Sequence, residues 1–187
     1  MENRAVEAAR LVDRLIRLVR SGVSRQGINP AQWEALRFLA RANRFSRTPA
    51  ALADYLVSTR GTVSQTLIAL ESKGLVLRRQ SSRDRRSVEL ELTSRGLEML
   101  ETDPLIELAS DLGKSGSDDG LASVTEILRD ALRRALQRND SRPFGVCRSC
   151  RYFRKDASGR GKHHCGLIDE PLSEKESDLI CSEQQPA

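Results

Sequence analysis

The 187-residue sequence lacks the patterns that direct a chain into or across a membrane. No stretch approaches the roughly eighteen consecutive apolar residues of a transmembrane helix. A secretory signal needs an uninterrupted apolar segment, whereas charges recur every few positions in the N-terminal residues, MENRAVEAARLVDRLIRLV. We therefore expect a cytoplasmic protein without a membrane partner.

Signatures of catalysis are also missing. The sequence contains no glycine-rich phosphate loop and no Gly-x-Ser-x-Gly nucleophile elbow. Its 2 histidines are neighbours, His163 and His164, and they directly precede a cysteine within a candidate metal site rather than lying near a nucleophile. We therefore predict that the protein is not an enzyme.

Basic charge is unevenly distributed along the chain. The net charge of +5 is modest, but six arginines fall within residues 78–95 against three acidic residues. A charged run is often only a solvated surface. Here the run directly follows a candidate recognition helix, and that position favours nucleic-acid binding.

The stretch from Ser58 to Leu92 reads as a helix followed by a β-hairpin. Val63, Leu67 and Leu70 form one apolar stripe at helical spacing, with Leu75 just past the helix. Ser58 or Thr59 can cap the start, and Gly74 suits a residue that ends a helix. Val76–Arg79 and Val88–Leu92 are strand-like runs joined by an arginine-rich loop. This order predicts a winged helix-turn-helix, with a preceding supporting helix capped by Ser46 or Thr48.

Such a motif places its helix in the major groove and its wing against phosphates or the minor groove. The candidate base or phosphate contacts on and before the helix are Ser58, Thr59, Arg60, Thr62, Ser64, Gln65 and Thr66. Those on the wing are Arg83, Asp84, Arg85 and Arg86. We expect Asp84 to orient Arg86 through a charge-assisted pair; the alternative is a surface ion pair that only fixes the hairpin.

The segment GTVSQTLIALESKGLVLRRQSSRDRRSVELELTSRG resembles the signature segment of the MarR family of transcriptional regulators. The matching motifs are an Asp-x-Arg wing, Asp84-Arg85-Arg86, and a Leu-Thr-x-x-Gly step that begins at Leu92. The resemblance covers about residues 5–138. It implies a homodimer that binds an inverted-repeat operator on double-stranded DNA. It also implies a repressor that is controlled by a small, often phenolic effector.

Amphipathic helices flank the winged motif. One is predicted over about residues 5–19 and another over 121–137. In the resembling family the first and last helices interlock two subunits; the alternative is that they fold back on their own domain. A long helix is predicted from Ser94 to about Leu112, kinked or broken near Asp103 by Pro104, and a flexible loop follows at 113–120.

Four cysteines lie close together near the end of the sequence. A Cys-x-x-Cys pair and two later cysteines follow the spacing of a closed tetrahedral zinc site, and the predicted ligands are Cys147, Cys150, Cys165 and Cys181. His163 or His164 could replace one thiolate. An iron–sulfur cluster is the alternative cofactor, because four cysteines also suit it. In a reducing compartment, metal or redox chemistry is favoured over structural disulfides.

The sequence therefore predicts a mainly α fold with a small β-hairpin wing, plus a small metal-stabilised module. Residues 1–140 are the expected dimerisation and DNA-binding domain, and residues 141–187 the zinc-binding extension. The extension has too few apolar residues to fold on a core alone. Two alternative functions stay open: a regulator that senses metal or redox state through its cysteines, and a protein-interaction module that does not bind DNA.

Overall fold

The computed structural model describes residues 3–23, 27–81 and 87–187. The first part of the chain forms α1 (Arg4–Val23), α2 (Pro30–Arg41), α3 (Pro49–Tyr55), α4 (Arg60–Ser72), β1 (Val76–Gln80), β2 (Val88–Leu92), α5 (Ser94–Glu101), α6 (Pro104–Ser115) and α7 (Asp118–Arg138). The second part forms β3 (Gly145–Val146), β4 (Phe153–Arg154), β5 (Lys162–Cys165), β6 (Glu170–Ser173), α8 (Glu174–Ser177) and β7 (Ile180–Cys181). The predicted class, mainly α with a small β-hairpin, is confirmed.

Helices α2, α3 and α4 pack around one core, and each begins at a side-chain cap. Asn29, Thr48 and Thr59 accept hydrogen bonds from backbone N–H groups in the first turns of α2, α3 and α4. These caps satisfy donors that a helix start leaves unpaired. The core is lined by fully buried side chains that include Trp33, Leu36, Phe38, Leu39, Leu52, Leu67 and Leu70.

The wing hairpin follows α4 directly. Gly74 has the left-handed φ of 67° expected of a residue that ends a helix. Strands β1 and β2 are antiparallel, with Val76 opposite Leu92 and Gln80 opposite Val88. Val76 and Leu90 are buried against the helical core, so the base of the hairpin belongs to the core and its far end extends beyond it.

The predicted long helix after the wing is broken where Pro104 indicated. Helix α5 ends at Glu101, and α6 begins at Pro104 with Asp103 as its cap. The predicted loop at 113–120 is wrong, because α6 continues to Ser115 and α7 starts at Asp118. Intrinsic helix propensity is a weak guide that local capping and tertiary context override. Here the cap that Ser117 gives to the Gly120 N–H fixes the start of α7.

Helix α6 contacts both α1 and α7, and all three helices leave apolar side chains exposed. Helices α6 and α7 have no buried residue. Helix α1 runs from Arg4 to Val23 and is longer than the predicted 5–19. Within the described ranges, no helix is both long and apolar enough to cross a membrane.

The C-terminal segment packs onto the helical core. Ile180 is buried in the same cluster as α2 and α3. The Asn43 N–H donates to the Ile180 carbonyl at 2.9 Å. The Phe144 ring lies edge-on to Phe38 and Tyr55, with ring centroids 5.9 Å and 5.2 Å away. The predicted boundary at residue 140 therefore separates two stretches of sequence that share one core.

Candidate nucleic-acid interface and cysteine cluster

Helix α4 presents two chemically different faces. Val63, Leu67 and Leu70 are buried against the core, as their spacing predicted. Arg60 and Gln65 stand on the exposed face. In the parts of the chain that are described, Arg60 has no ion-pair partner. The exposed face can therefore offer a free guanidinium and a free side-chain amide to a ligand.

The predicted contact residues that carry hydroxyl groups form two sets: threonines that bond at the start of α4, and serines beside them. Thr59 Oγ1 accepts the Thr62 N–H at 3.1 Å and lies 2.9 Å from Thr62 Oγ1. Thr66 Oγ1 donates to the Thr62 carbonyl at 3.0 Å. These threonines hold the helix start together, whereas Ser58 and Ser64 are half-buried beside them.

Two of the arginines in the basic run are already paired. Arg78 Nη2 lies 2.6 Å from Glu71 Oε2, and Arg79 Nε lies 3.2 Å from Glu91 Oε2. The hydrogen bond from Arg78 lowers the pKa of the Glu71 carboxyl. These pairs reduce the cationic charge at the base of the wing. The wing-tip residues predicted to contact DNA lie outside the described residues: Arg83, Asp84, Arg85 and Arg86.

The Leu-Thr-x-x-Gly step connects the wing to the end of α4. Thr93 Oγ1 donates to the Gly74 carbonyl at 2.7 Å and accepts the Gly96 N–H at 3.0 Å. The Thr93 N–H donates to the Leu75 carbonyl at 3.1 Å. One residue therefore fixes the end of β2, the start of α5 and the exit from α4 relative to one another.

The four cysteines line one small cavity. None of them forms a disulfide, and Cys147 and Cys181 are buried. The cavity volume is about 20 Å³, and its walls are mostly aromatic and aliphatic. Neither histidine lines it: His163 Nε2 lies 2.8 Å from a Glu174 carboxylate oxygen, and His164 Nε2 lies 2.8 Å from an Asp169 oxygen.

Hydrogen bonds favour a thiolate in this cavity. The Asn43 side-chain amide donates to Cys147 Sγ at 3.2 Å, and the Glu183 N–H donates to Cys181 Sγ at 3.3 Å. A hydrogen bond between the Cys147 and Cys181 side chains lowers the pKa of the Cys181 thiol to about 6. The same hydrogen bond raises the pKa of Cys147. Of the two thiols, Cys181 therefore ionises more readily.

Comparison with known proteins agrees with the geometry of the helix and wing. Residues 26–87 match the sequence model of the MarR family. Over this winged-helix segment the chain is similar to the MarR family. The prediction that the chain is not an enzyme agrees with this similarity, because the matched proteins are transcription regulators. No curated protein matches the sequence.

Solved structures with the MarR fold extend the likeness beyond the matched segment. A MarR transcriptional regulator from Methanosarcina mazei is 25% identical, with a TM-score of 0.57 over 70% of this chain and 96% of its own. A cysteine-to-serine mutant of MarR from E. coli is 25% identical, with a TM-score of 0.54 over 71% and 98%. MepR from S. aureus, solved in complex with DNA, is 21% identical, with a TM-score of 0.57 over 72% and 99%.

Sequence reasoning missed the residues that join the winged helix to the cysteine segment. Asn43, Arg44 and Ser46 form the turn ahead of α3, and each bonds to the C-terminal segment. Arg44 pairs with Glu176 and donates to the Pro171 carbonyl at 2.5 Å. Ser46 Oγ accepts the Ser182 N–H at 2.9 Å. These partners lie far apart in the chain, so no local pattern could have revealed them.

Proposed function

We propose that the protein is a homodimeric transcription regulator that binds DNA in a sequence-specific manner and acts as a repressor under the control of a small effector. The observation that carries this proposal is the exposed face of α4. It combines Arg60 and Gln65 on one side of a helix whose other side is anchored by Val63, Leu67 and Leu70. A helix built in this way can enter a major groove without losing its packing.

The chemistry of the exposed face suits a duplex. Gln65 can make two hydrogen bonds to an adenine edge. Arg60 and the N–H groups at the start of α4 suit a phosphate, because a helix N-terminus attracts anions. The fold likeness to MepR, which was solved bound to DNA, supports DNA as the ligand. The wing arginines Arg83, Arg85 and Arg86 would add phosphate contacts.

The exposed apolar surface of the outer helices supports a dimer. Helix α7 exposes Val124, Ile127, Leu128 and Leu132 along one stripe. Helices α1 and α6 expose a comparable set: Val6, Leu11, Val12, Leu15, Ile16, Leu18, Leu105, Ile106 and Leu112. Large exposed apolar surfaces usually mark an interface. A second copy of the chain is the occupant we propose, and it places two α4 helices about one helical turn apart on DNA.

Selection of bound DNA from a random pool tests the proposal. Because a twofold dimer reads two half-sites, the enriched sequences should form an inverted repeat. Affinity should fall with added salt as phosphate contacts release counterions. A chain that stays monomeric in sedimentation and binds no duplex at low salt would contradict the proposal and favour a protein-interaction module.

Repression and effector control rest on the resemblance to the family. A reporter gene driven from a promoter that contains the selected operator measures both. Expression of the protein should lower reporter output, and a phenolic effector should restore it. An increase in output on expression would identify an activator instead.

A further inference from the structure

We propose that Cys147, Cys150, Cys165 and Cys181 bind one zinc ion through four thiolates, and that this site holds the turn ahead of α3. The turn comprises residues 43–48. Zinc binding is a separate property from DNA recognition and does not depend on it. The consequence for DNA affinity rests on the proposed function.

Two short β-ladders bring the cysteines together. Strand β3 pairs with β7 so that Gly145 lies opposite Cys181, two residues before Cys147. Strand β4 pairs with β5 so that Phe153 lies opposite Cys165, three residues after Cys150. The Cys-x-x-Cys pair is therefore placed between the two distant cysteines. The Cys150 N–H bonds to the Cys147 carbonyl at 2.9 Å and bends the pair into a tight turn.

The donor set favours zinc. Soft thiolates select zinc, copper(I) or iron–sulfur clusters. The four thiols share one small cavity, which suits a single ion bound through four sulfurs. In the described parts of the chain, no group of three or more ligand side chains stands at metal-binding geometry. The four thiols line the same cavity, and metal binding would require their side chains to turn toward one ion.

The surroundings of the sulfurs suit a charged metal centre. Four thiolates around Zn²⁺ leave a net charge of about −2. The Asn43 amide and the Glu183 N–H point at two of these sulfurs. N–H donors of this kind fix the ligands and disperse their charge. The cavity walls include Phe45, Phe153 and Leu172, which give the centre apolar surroundings.

Asn43 connects this centre to the winged helix. Its Nδ2 atom donates to Cys147 Sγ, while its Oδ1 atom accepts the Ser46 N–H at 2.9 Å. Its backbone N–H donates to the Ile180 carbonyl, next to Cys181. Helix α3 begins just after this turn and packs against α4. Loss of the metal should therefore loosen the support of the recognition helix.

Metal analysis of the purified full chain, combined with X-ray absorption at the zinc edge, tests the site without any substitution. We expect one zinc per chain with four sulfur neighbours at about 2.3 Å. A nitrogen in the ligand shell, iron with visible charge-transfer absorption, or a chain that contains a Cys147–Cys181 disulfide and no zinc would each overturn the proposal.

Two variants test the role of Asn43. Asn43→Ala removes the N–H donor to Cys147 and should weaken zinc binding about 10- to 100-fold in competition with a chelator. His164→Ala is the matched control, because His164 neighbours Cys165 in sequence but lies outside the cavity, and it should bind zinc as the wild type does. An unchanged zinc affinity in Asn43→Ala would show that Asn43 does not contribute to zinc binding.

Removal of zinc by a chelator tests the connection to DNA. Affinity for the selected operator should fall and should recover on addition of zinc. If zinc is bound but its removal leaves operator affinity unchanged, the anchoring role is wrong and the metal site stands. If the intact protein binds no operator, the proposed function fails, while the zinc stoichiometry still decides the metal site.

Discussion

The backbone carbonyl oxygen of Leu75 lies only 2.2 Å from the point where a Cβ atom on Gly96 would stand. Gly96 is therefore required by close packing, since its φ is not left-handed. The start of α5 rests directly on the chain that leaves α4. This contact explains the glycine of the Leu-Thr-x-x-Gly step in structural terms.

Gly96→Ala should destabilise the protein. The methyl group must push α5 away from the Leu75 carbonyl, and such overpacking costs about 1–3 kcal/mol. Urea unfolding measures the change. Gly113→Ala is the matched control, because Gly113 lies in α6 and a methyl group there would have no atom within 4 Å. That control should gain about 0.5–1 kcal/mol; equal losses in both variants would contradict the packing argument.

Gln65→Ala should weaken operator binding without changing the melting temperature. Loss of a bidentate base contact costs about 1–3 kcal/mol, and the Gln65 side chain is exposed. Fluorescence anisotropy with labelled operator measures the loss. Gln137→Ala, an exposed glutamine on α7, is the control and should bind normally. A parallel drop in melting temperature would show that Gln65 acts on the fold.

Asp103→Ala should loosen the junction between α5 and α6. Asp103 is 7% exposed, caps α6 through the Leu105 N–H at 2.8 Å, and accepts two hydrogen bonds from Arg37 at 2.7 Å and 2.5 Å. Hydrogen bonds between charged groups contribute about 1.5–3 kcal/mol. Chemical denaturation should show a loss of that order. Asp13→Ala removes an exposed pair with Arg17 and should cost less than about 1 kcal/mol.

Leu128→Arg should produce monomers. Leu128 lies in the middle of the exposed stripe on α7, and a buried unpaired charge at a dimer interface is strongly unfavourable. Sedimentation velocity should show a lower sedimentation coefficient, and operator affinity should fall with it. The exposed neighbour Arg129 provides the control, since Arg129→Lys keeps the charge and should leave the dimer intact. A dimeric Leu128→Arg protein would place the interface elsewhere.

Glu176→Gln should remove part of the acid sensitivity of the fold. Partial burial opposes ionisation of Glu176, but hydrogen bonds from Ser173 and Arg44 outweigh it and lower the pKa of its carboxyl. A lowered pKa in the folded state stabilises the protein fully above the unfolded value of about 4.3 and loses this contribution as the pH falls further. The difference in unfolding free energy between wild type and variant should therefore be constant from about pH 7 to about pH 5 and shrink below. A constant difference down to about pH 3 would exclude ionisation as the cause.

Local features of the fold could be predicted from the sequence. Asn29, Thr48 and Thr59 cap their helices, the chain breaks before Pro104, and both wing strands occur where the apolar pattern indicated. Each of these features depends on residues within a few positions of one another. The exposed face of α4 was predictable for the same reason, since the buried stripe determines it.

Features that depend on distant contacts could not be predicted. The packing of Phe144 against Phe38 and Tyr55 follows from the tertiary structure alone. Arg78 forms an ion pair with Glu71, which neutralises one of the positive charges in the basic run. This pair depends on how α4 and β1 are placed in space and could not be read from the sequence. The hydrogen bond from Asn43 to Cys147 spans 104 positions and shows how the cysteine segment meets the helix-turn-helix.

Ile180 has a consequence for biosynthesis. It is translated long after α2 and α3, yet it accepts the Asn43 N–H and fills part of the core that these helices share. Domains usually fold in order as they emerge from the ribosome. A nascent chain cannot complete this core until Ile180 has left the exit tunnel. The helix-turn-helix therefore reaches its final packing only after a much later part of the chain has been synthesised.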